Sequence, residues 1–175
     1  MPSDAVLHQA AALCLTYPDD DLRARLPLLR EAAPQLRGFA DHAALTPPRE
    51  LAAHYVQVFD TDGRRSLYLN HWRNGGGTGR PGSPVLRFQD LYREYGLECT
   101  GGERPDFLPA VLEFAARTGN TDPLTEHREG LQRLRSRLNG FGTPYASVLD
   151  AVCATLPTVC TTRSTVCGTP RSSPL

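Results

Sequence analysis

The chain predicts an all-α fold: a single-domain bundle of about seven or eight helices followed by a carboxyl-terminal tail. Three observations carry that prediction. A side-chain acceptor is followed directly by proline at Thr46-Pro47, Ser83-Pro84, Asp122-Pro123 and Thr143-Pro144. This is the chemistry of a helix start, a cap for the free N–H groups and then a preset φ with no N–H to satisfy. Each pair leads into apolar residues at three- and four-residue intervals. No stretch sustains apolar-polar alternation, although Ser66–Trp72 (S-L-Y-L-N-H-W) could by itself pass for a strand. Helices without a fixed-period repeat make a bundle rather than a solenoid.

Taken in order, Ser3-Asp4 opens an apolar-rich run, Ala5–Tyr17, that stops at Pro18. A second run follows Asp19–Asp21 and meets Pro27, giving one bent helix or two short ones. After Ser83-Pro84 the apolar positions are Val85, Phe88, Leu91, Tyr92 and Tyr95, with Gly96 placed to close the helix in the left-handed conformation. In Glu103–Phe114 (E-R-P-D-F-L-P-A-V-L-E-F), Asp106 is placed to cap a helix whose apolar positions are Phe107, Leu108, Val111, Leu112 and Ala115. After Asp122-Pro123, one amphipathic helix is expected, with Leu124, Leu131, Leu134 and Leu138 inside and Arg128, Arg133, Arg135 and Arg137 mostly outside. After Thr143-Pro144 come Tyr145, Val148, Leu149, Val152 and Leu156, and Pro157 stops the run. Asn74–Gly82 reads as a flexible loop. The helical domain is thus placed at residues 1–157, and the Thr/Ser/Cys/Pro-rich tail at 158–175 is expected to be disordered.

Composition excludes several functions. Nineteen basic and nineteen acidic side chains cancel, unlike the basic footprint of a nucleic-acid binder. All nineteen basic residues are arginine, so a phosphate-loop lysine, a Schiff-base lysine and a Ser-Lys dyad are impossible. The amino terminus lacks the charge and apolar pattern of a secretion signal, and no apolar run reaches a membrane span of ~18 residues. Five cysteines (Cys14, Cys99, Cys153, Cys160, Cys167) in such a chain read as reduced thiols, and a cytoplasmic location is expected.

The remaining chemistry is thin. Gly77, Gly79 and Gly82 satisfy G-x-G-x-x-G, but that fingerprint belongs in a βαβ unit and no such unit surrounds it. A nucleotide-binding switch built on Gly77–Gly82 is the alternative of a different class. His8, His42, His54, His71 and His127 pair with no His or Cys at a metal-ligand interval, and the seven-residue spacing of Cys153, Cys160 and Cys167 is unlike a zinc knuckle. No nucleophile elbow is present. Catalytic, cofactor-binding and metal residues are therefore all assigned as none, and the chain is read as a binder, not an enzyme.

Three stretches together resemble the nitrate reductase molybdenum cofactor assembly chaperones, often called the delta subunit, within the wider redox-enzyme maturation chaperones. They are Tyr55–Asp60 (Y-V-Q-V-F-D), running through Arg64-Arg65 into Leu67–Leu69; Leu86–Gly96 (L-R-F-Q-D-L-Y-R-E-Y-G); and Glu103–Ala116, which follows the family's Glu-x-Pro-Asp-His-Leu-Pro pattern. Pro144–Pro157 also fits, so the likeness covers roughly residues 5–157 in one order. Two departures stand out. Phe107 occupies the family's histidine position, and the tail beyond A-T-L-P does not continue as the family's does.

The resemblance implies a cytoplasmic helical chaperone. Its partner would be the catalytic α subunit of respiratory nitrate reductase as apoprotein, bound at its amino-terminal segment while the molybdenum cofactor is inserted. A maturation chaperone for a different molybdoenzyme is the nearest alternative. Neither nucleic acid nor stable membrane insertion is expected. A helix-in-groove mode would use Tyr55, Phe59, Leu67, Tyr68, Trp72, Phe107 and Leu108 as apolar walls and Asp60, Glu103 and Asp106 to attract basic client residues. For Tyr55 and Phe59 the core reading stands slightly ahead of direct contact, because a bundle of this size needs such aromatics inside.

Overall fold

The computed structural model describes residues 3–73, 83–99 and 102–158. The glycine loop, residues 74–82, and the tail from residue 159 lie outside the described residues, and with them the nucleotide-switch and tail expectations. The described residues form nine α-helices and no strand longer than an isolated bridge. They are α1 (Asp4–Cys14), α2 (Asp20–Ala32), α3 (Arg37–Leu45), α4 (Pro48–Phe59), α5 (Ser83–Glu94), α6 (Leu108–Thr118), α7 (Asp122–Glu126), α8 (Arg128–Phe141) and α9 (Tyr145–Thr155), with short 3-10 turns at Pro34–Leu36 and Leu69–Trp72. The all-α bundle is as the sequence predicts. None of the described helices is long and apolar enough to cross a membrane.

α1 is the central helix. Ala10, Ala11, Ala12 and Cys14 are buried along it, and these small side chains let α6 and α9 pack closely. Burial pushes the Cys14 thiol up to about 12, so it is an inert core group. His8 is also buried, and its Nε2 meets Thr155 Oγ1 at 2.9 Å. The Thr155 hydroxyl donates to the Val152 carbonyl, so the imidazole Nε2–H must donate to the threonine oxygen.

Several local expectations change. Of the two readings left open for the second run, the single helix is the one found: Pro27 lies inside α2, capped by Asp19, which accepts from the Leu22 amide at 2.8 Å. Thr46 does not cap α4: Pro47 is the N-cap, Pro48 takes the first helical position, and the Thr46 hydroxyl turns back to the His42 carbonyl at the end of α3. The single helix expected after Asp122 is broken into α7 and α8 at His127. Its ring Nδ1–H donates to the Pro123 carbonyl at 2.8 Å, taking the acceptor that a continuous helix would give to the His127 backbone amide. Gly96 does close α5 at φ 68°, with Gly96 N–H bonding Arg93 O and Leu97 N–H bonding Tyr92 O, the paired bonds of a Schellman motif.

An aromatic cluster ties α3, α4 and α9. Phe39, Phe59 and Tyr55 surround the buried Tyr145 with ring centroids 5.0, 5.0 and 5.9 Å away. Two of the residues predicted as client walls, Tyr55 and Phe59, are therefore frame.

Candidate functional site

The segment after α4 crosses the segment before α6, and this crossing organises the site. Leu69 N–H donates to Asp106 O at 2.9 Å and Leu108 N–H to Leu67 O at 2.8 Å, making Tyr68 and Phe107 an antiparallel bridge. The hydrogen bonds flank this pair rather than join it, which is the closer of the two antiparallel pair types. Their rings lie 5.3 Å apart. The strand-like S-L-Y-L-N-H-W segment thus supplies one bridging residue and then coils into a 3-10 turn.

Asp106 holds the crossing from within. Its side chain has no solvent exposure and does not cap α6, whose N-cap is Phe107 with no side-chain bond. Instead Oδ2 accepts from the Asn70 amide at 3.3 Å and from the Arg104 guanidinium at 3.1 Å. The sequence expectation that Asp106 caps the helix is corrected here. The preceding Pro105 carbonyl is engaged too, accepting from the Tyr92 hydroxyl at 2.6 Å, and the chain path sends the aspartate inward.

Trp72 anchors the far end of the crossing. Its indole N–H donates to Ser66 O at 3.0 Å, Arg137 lies over its ring at 5.1 Å, and it fills a notch at Gly130, where an added Cβ would come within 2.6 Å of Trp72 Cβ. Arg65, of the family-like Arg64-Arg65 pair, donates to Val58 O at 2.7 Å and stacks on Phe141 at 4.3 Å, fixing the exit from α4.

The ten residues singled out from the sequence fall into two sets. Tyr55, Phe59, Leu67, Trp72, Asp106 and Leu108 are all buried, each 6% exposed or less. Asp60 and Glu103 are exposed, and Tyr68 and Phe107 are half-buried. Three of the outer set, Tyr68, Phe107 and Glu103, are brought together in space. Tyr68 OH donates to Glu103 Oε2 at 3.1 Å, and Arg104 lies over the Tyr68 ring at 5.1 Å. Burial, then the Glu103 carboxylate, raises the Tyr68 phenol above its ordinary value. The Tyr55 phenol is raised first by burial and then by Asp60, Tyr68 and Glu103, which places each of these groups within electrostatic reach of Tyr55.

Two members of this surface escaped the sequence reading. Tyr17, exposed in the turn between α1 and α2, stands edge-on to Tyr55 at 5.7 Å, and Arg104 links the Tyr68 ring to Asp106. An aromatic directly before Pro18 was the available signal for the first; nothing local marks the second. The resulting patch has an apolar, aromatic floor with two carboxylates at its margin. Among the described residues, no group of three or more His, Cys, Asp or Glu side chains comes together to hold a metal ion. The patch can bind a segment that is apolar with basic flanks; it offers no base-nucleophile pair.

Residues 19–150 match the family described as nitrate reductase delta subunit. The chain belongs to that family. Among curated relatives of this family member, nitrate reductase-like protein NarX of Mycobacterium tuberculosis is 36% identical over 161 residues, covering 86% of the chain but 24% of NarX. The chain therefore spans only a part of that relative. The probable nitrate reductase molybdenum cofactor assembly chaperone NarJ of Bacillus subtilis is 29% identical over 163 residues, 86% of the chain and 88% of that protein. The nitrate reductase molybdenum cofactor assembly chaperone NarJ of Escherichia coli is 29% identical over 130 residues, 70% of the chain and 53% of that protein. A crystal structure of a candidate redox enzyme maturation protein from Archaeoglobus fulgidus shares the fold, with a TM-score of 0.70 at 21% identity over 86% of this chain and 91% of that one.

Proposed function

We propose that this delta-subunit family member is a maturation chaperone that binds the apo catalytic α subunit of nitrate reductase at its amino-terminal segment and keeps it competent for molybdenum cofactor insertion. The chaperone role is supported by the B. subtilis relative, which aligns over most of both chains. The observation that carries the binding mode is the Tyr68–Phe107 bridge with Glu103 hydrogen-bonded beside it and Asp60 within electrostatic reach of the underlying Tyr55. An aromatic pair held open to solvent by a rigid backbone crossing is a low-entropy anchor for an apolar side chain, and the marginal carboxylates set approach and register. The buried set, Tyr55, Phe59, Leu67, Trp72, Asp106 and Leu108, positions that anchor. The protein works in the cytoplasm, before its client reaches the membrane.

Isothermal titration of the amino-terminal peptide of the cognate α subunit tests this reading. Phe107→Ala and Tyr68→Ala, checked for folding by circular dichroism, should each weaken binding by about tenfold or more, the loss of an aromatic anchor. Unchanged affinity in both folded variants removes the patch from the binding site.

A further inference from the structure

A pocket of about 540 Å³ lies between α5 and α7, and none of its lining residues belongs to the Tyr68–Phe107 patch. Two side-chain bonds span it, one near each end of α5. Arg87 reaches Glu126 of α7 at 3.1 Å, and the Asn120 amide donates to the Tyr95 hydroxyl, just past α5, at 3.2 Å. Leu86, Phe88, Leu91 and Pro123 make the walls apolar. His127 lines the same pocket, is 6% exposed, and has its ring 5.4 Å from that of Phe88. Because its Nδ1–H is given to Pro123 O, the other ring nitrogen, Nε2, carries a lone pair, and that buried lone pair has no partner among the described residues. Burial also disfavours the imidazolium, which keeps Nε2 an acceptor. No group of three His, Cys, Asp or Glu side chains forms among the described residues to hold a metal ion, so the lone pair is offered to a hydrogen-bond donor.

We infer that this pocket receives a tryptophan side chain presented by a partner protein. A buried acceptor left unmet is costly, so the site favours a group that brings one donor together with an apolar body. Indole does both. As a donor-only ring it carries no lone pair that would need a second partner at the apolar base, whereas a phenol does. Glu94 and Asp122, exposed at the rim, can accept backbone N–H groups of the segment that carries the tryptophan. The inference stands apart from the client reading, because this pocket and the patch share no residue.

The test is a nuclear magnetic resonance titration of the full chain, with its histidine nitrogens isotope-labelled. The probes are N-acetyltryptophanamide and its indole-N-methylated analogue, which keeps the apolar ring and loses the donor. The parent should bind the methylated probe about tenfold more weakly, and only the unmethylated probe should move the His127 Nε2 signal. His127→Asn keeps a donor for Pro123 O and removes the acceptor. It should bind the unmethylated probe about tenfold more weakly than the parent does and no longer distinguish the two. The comparison separates the hydrogen bond from the bulk of the added methyl group, since a steric clash would persist in the variant. The inference is overturned if the parent binds neither probe saturably, binds both equally, or leaves the Nε2 signal unmoved. A folded His127→Asn that still prefers the unmethylated probe overturns it as well. Because the Nε2 signal is read on the parent, the outcome is decided even if the variant does not fold.

Discussion

The inner and outer faces of the crossing between Leu67–Trp72 and Glu103–Leu108 share a backbone and answer to opposite demands. Inside, Leu67, Leu69, Trp72, Asp106 and Leu108 are excluded from water, and the one charge among them meets Asn70 and Arg104 through Oδ2 alone, leaving Oδ1 buried without a partner among the described residues. Outside, Tyr68, Phe107 and Glu103 keep surface exposed and touch one another across the bridge. Neighbouring residues of one motif therefore divide into buried frame and exposed surface because successive side chains in an extended segment point to opposite faces. The lesson is that a family signature of this kind cannot be read as a list of contacts.

That division predicts a graded set of outcomes. The largest effect is expected from Leu108→Ala, which empties a fully buried site and should cost about 2–5 kcal/mol of stability in urea denaturation. Gly130→Ala forces Trp72 out of its notch and should cost about 1–3 kcal/mol; a repacked Trp72 should also shift tryptophan fluorescence, since it is the chain's single tryptophan. Asp106→Ala leaves the Asn70 amide without its acceptor and should cost about 1–3 kcal/mol, while the isosteric Asp106→Asn recovers part of that loss. An Asp106→Ala protein of parental stability would break the contrast between frame and surface.

A pH effect comes next. Burial holds the imidazoles of His8 and His127 below their ordinary value near 6.5, and the bond from His127 to Pro123 O only partly opposes this. The folded chain then binds fewer protons at these sites than the unfolded chain. Their contribution is complete above about pH 6.5 and is lost as pH falls below it. Thermal melting temperature should decline on that acid side, and His8→Gln, which can still donate to Thr155, should make the decline shallower. The smallest stability effect is expected from the outer face. Phe107→His, restoring the family's residue at a half-buried position, should change stability by less than about 1 kcal/mol while altering peptide affinity, measured by denaturation and titration on the same sample.

Much of this was legible in the chain itself. The spacing after Ser83-Pro84 and Thr143-Pro144 gave α5 and α9, and Gly96 announced its own left-handed turn because only a residue without Cβ adopts it freely. Helix ends were less legible where a side chain found a better partner than its own helix. Thr46 turned back to His42 O, and His127 took Pro123 O and split the helix expected after Asp122. α3 carried no cap-proline mark and stood out only once packed.

For the candidate site, the sequence by itself singled out the Tyr55–Asp60 and Glu103–Leu108 stretches, and the fold sets both beside the proposed patch. Tertiary structure alone decided which of their residues face water. Asp106 looks like a solvent-facing cap in the sequence and is a buried tie in the fold, because the backbone bonds from Leu69 and Leu108 fix which way the crossing faces. Tyr17 lies 38 residues before Tyr55 in the chain. Periodicity reports only neighbours within a helix or strand, whereas a surface assembled from α1, α4 and the approach to α6 exists only after those elements pack.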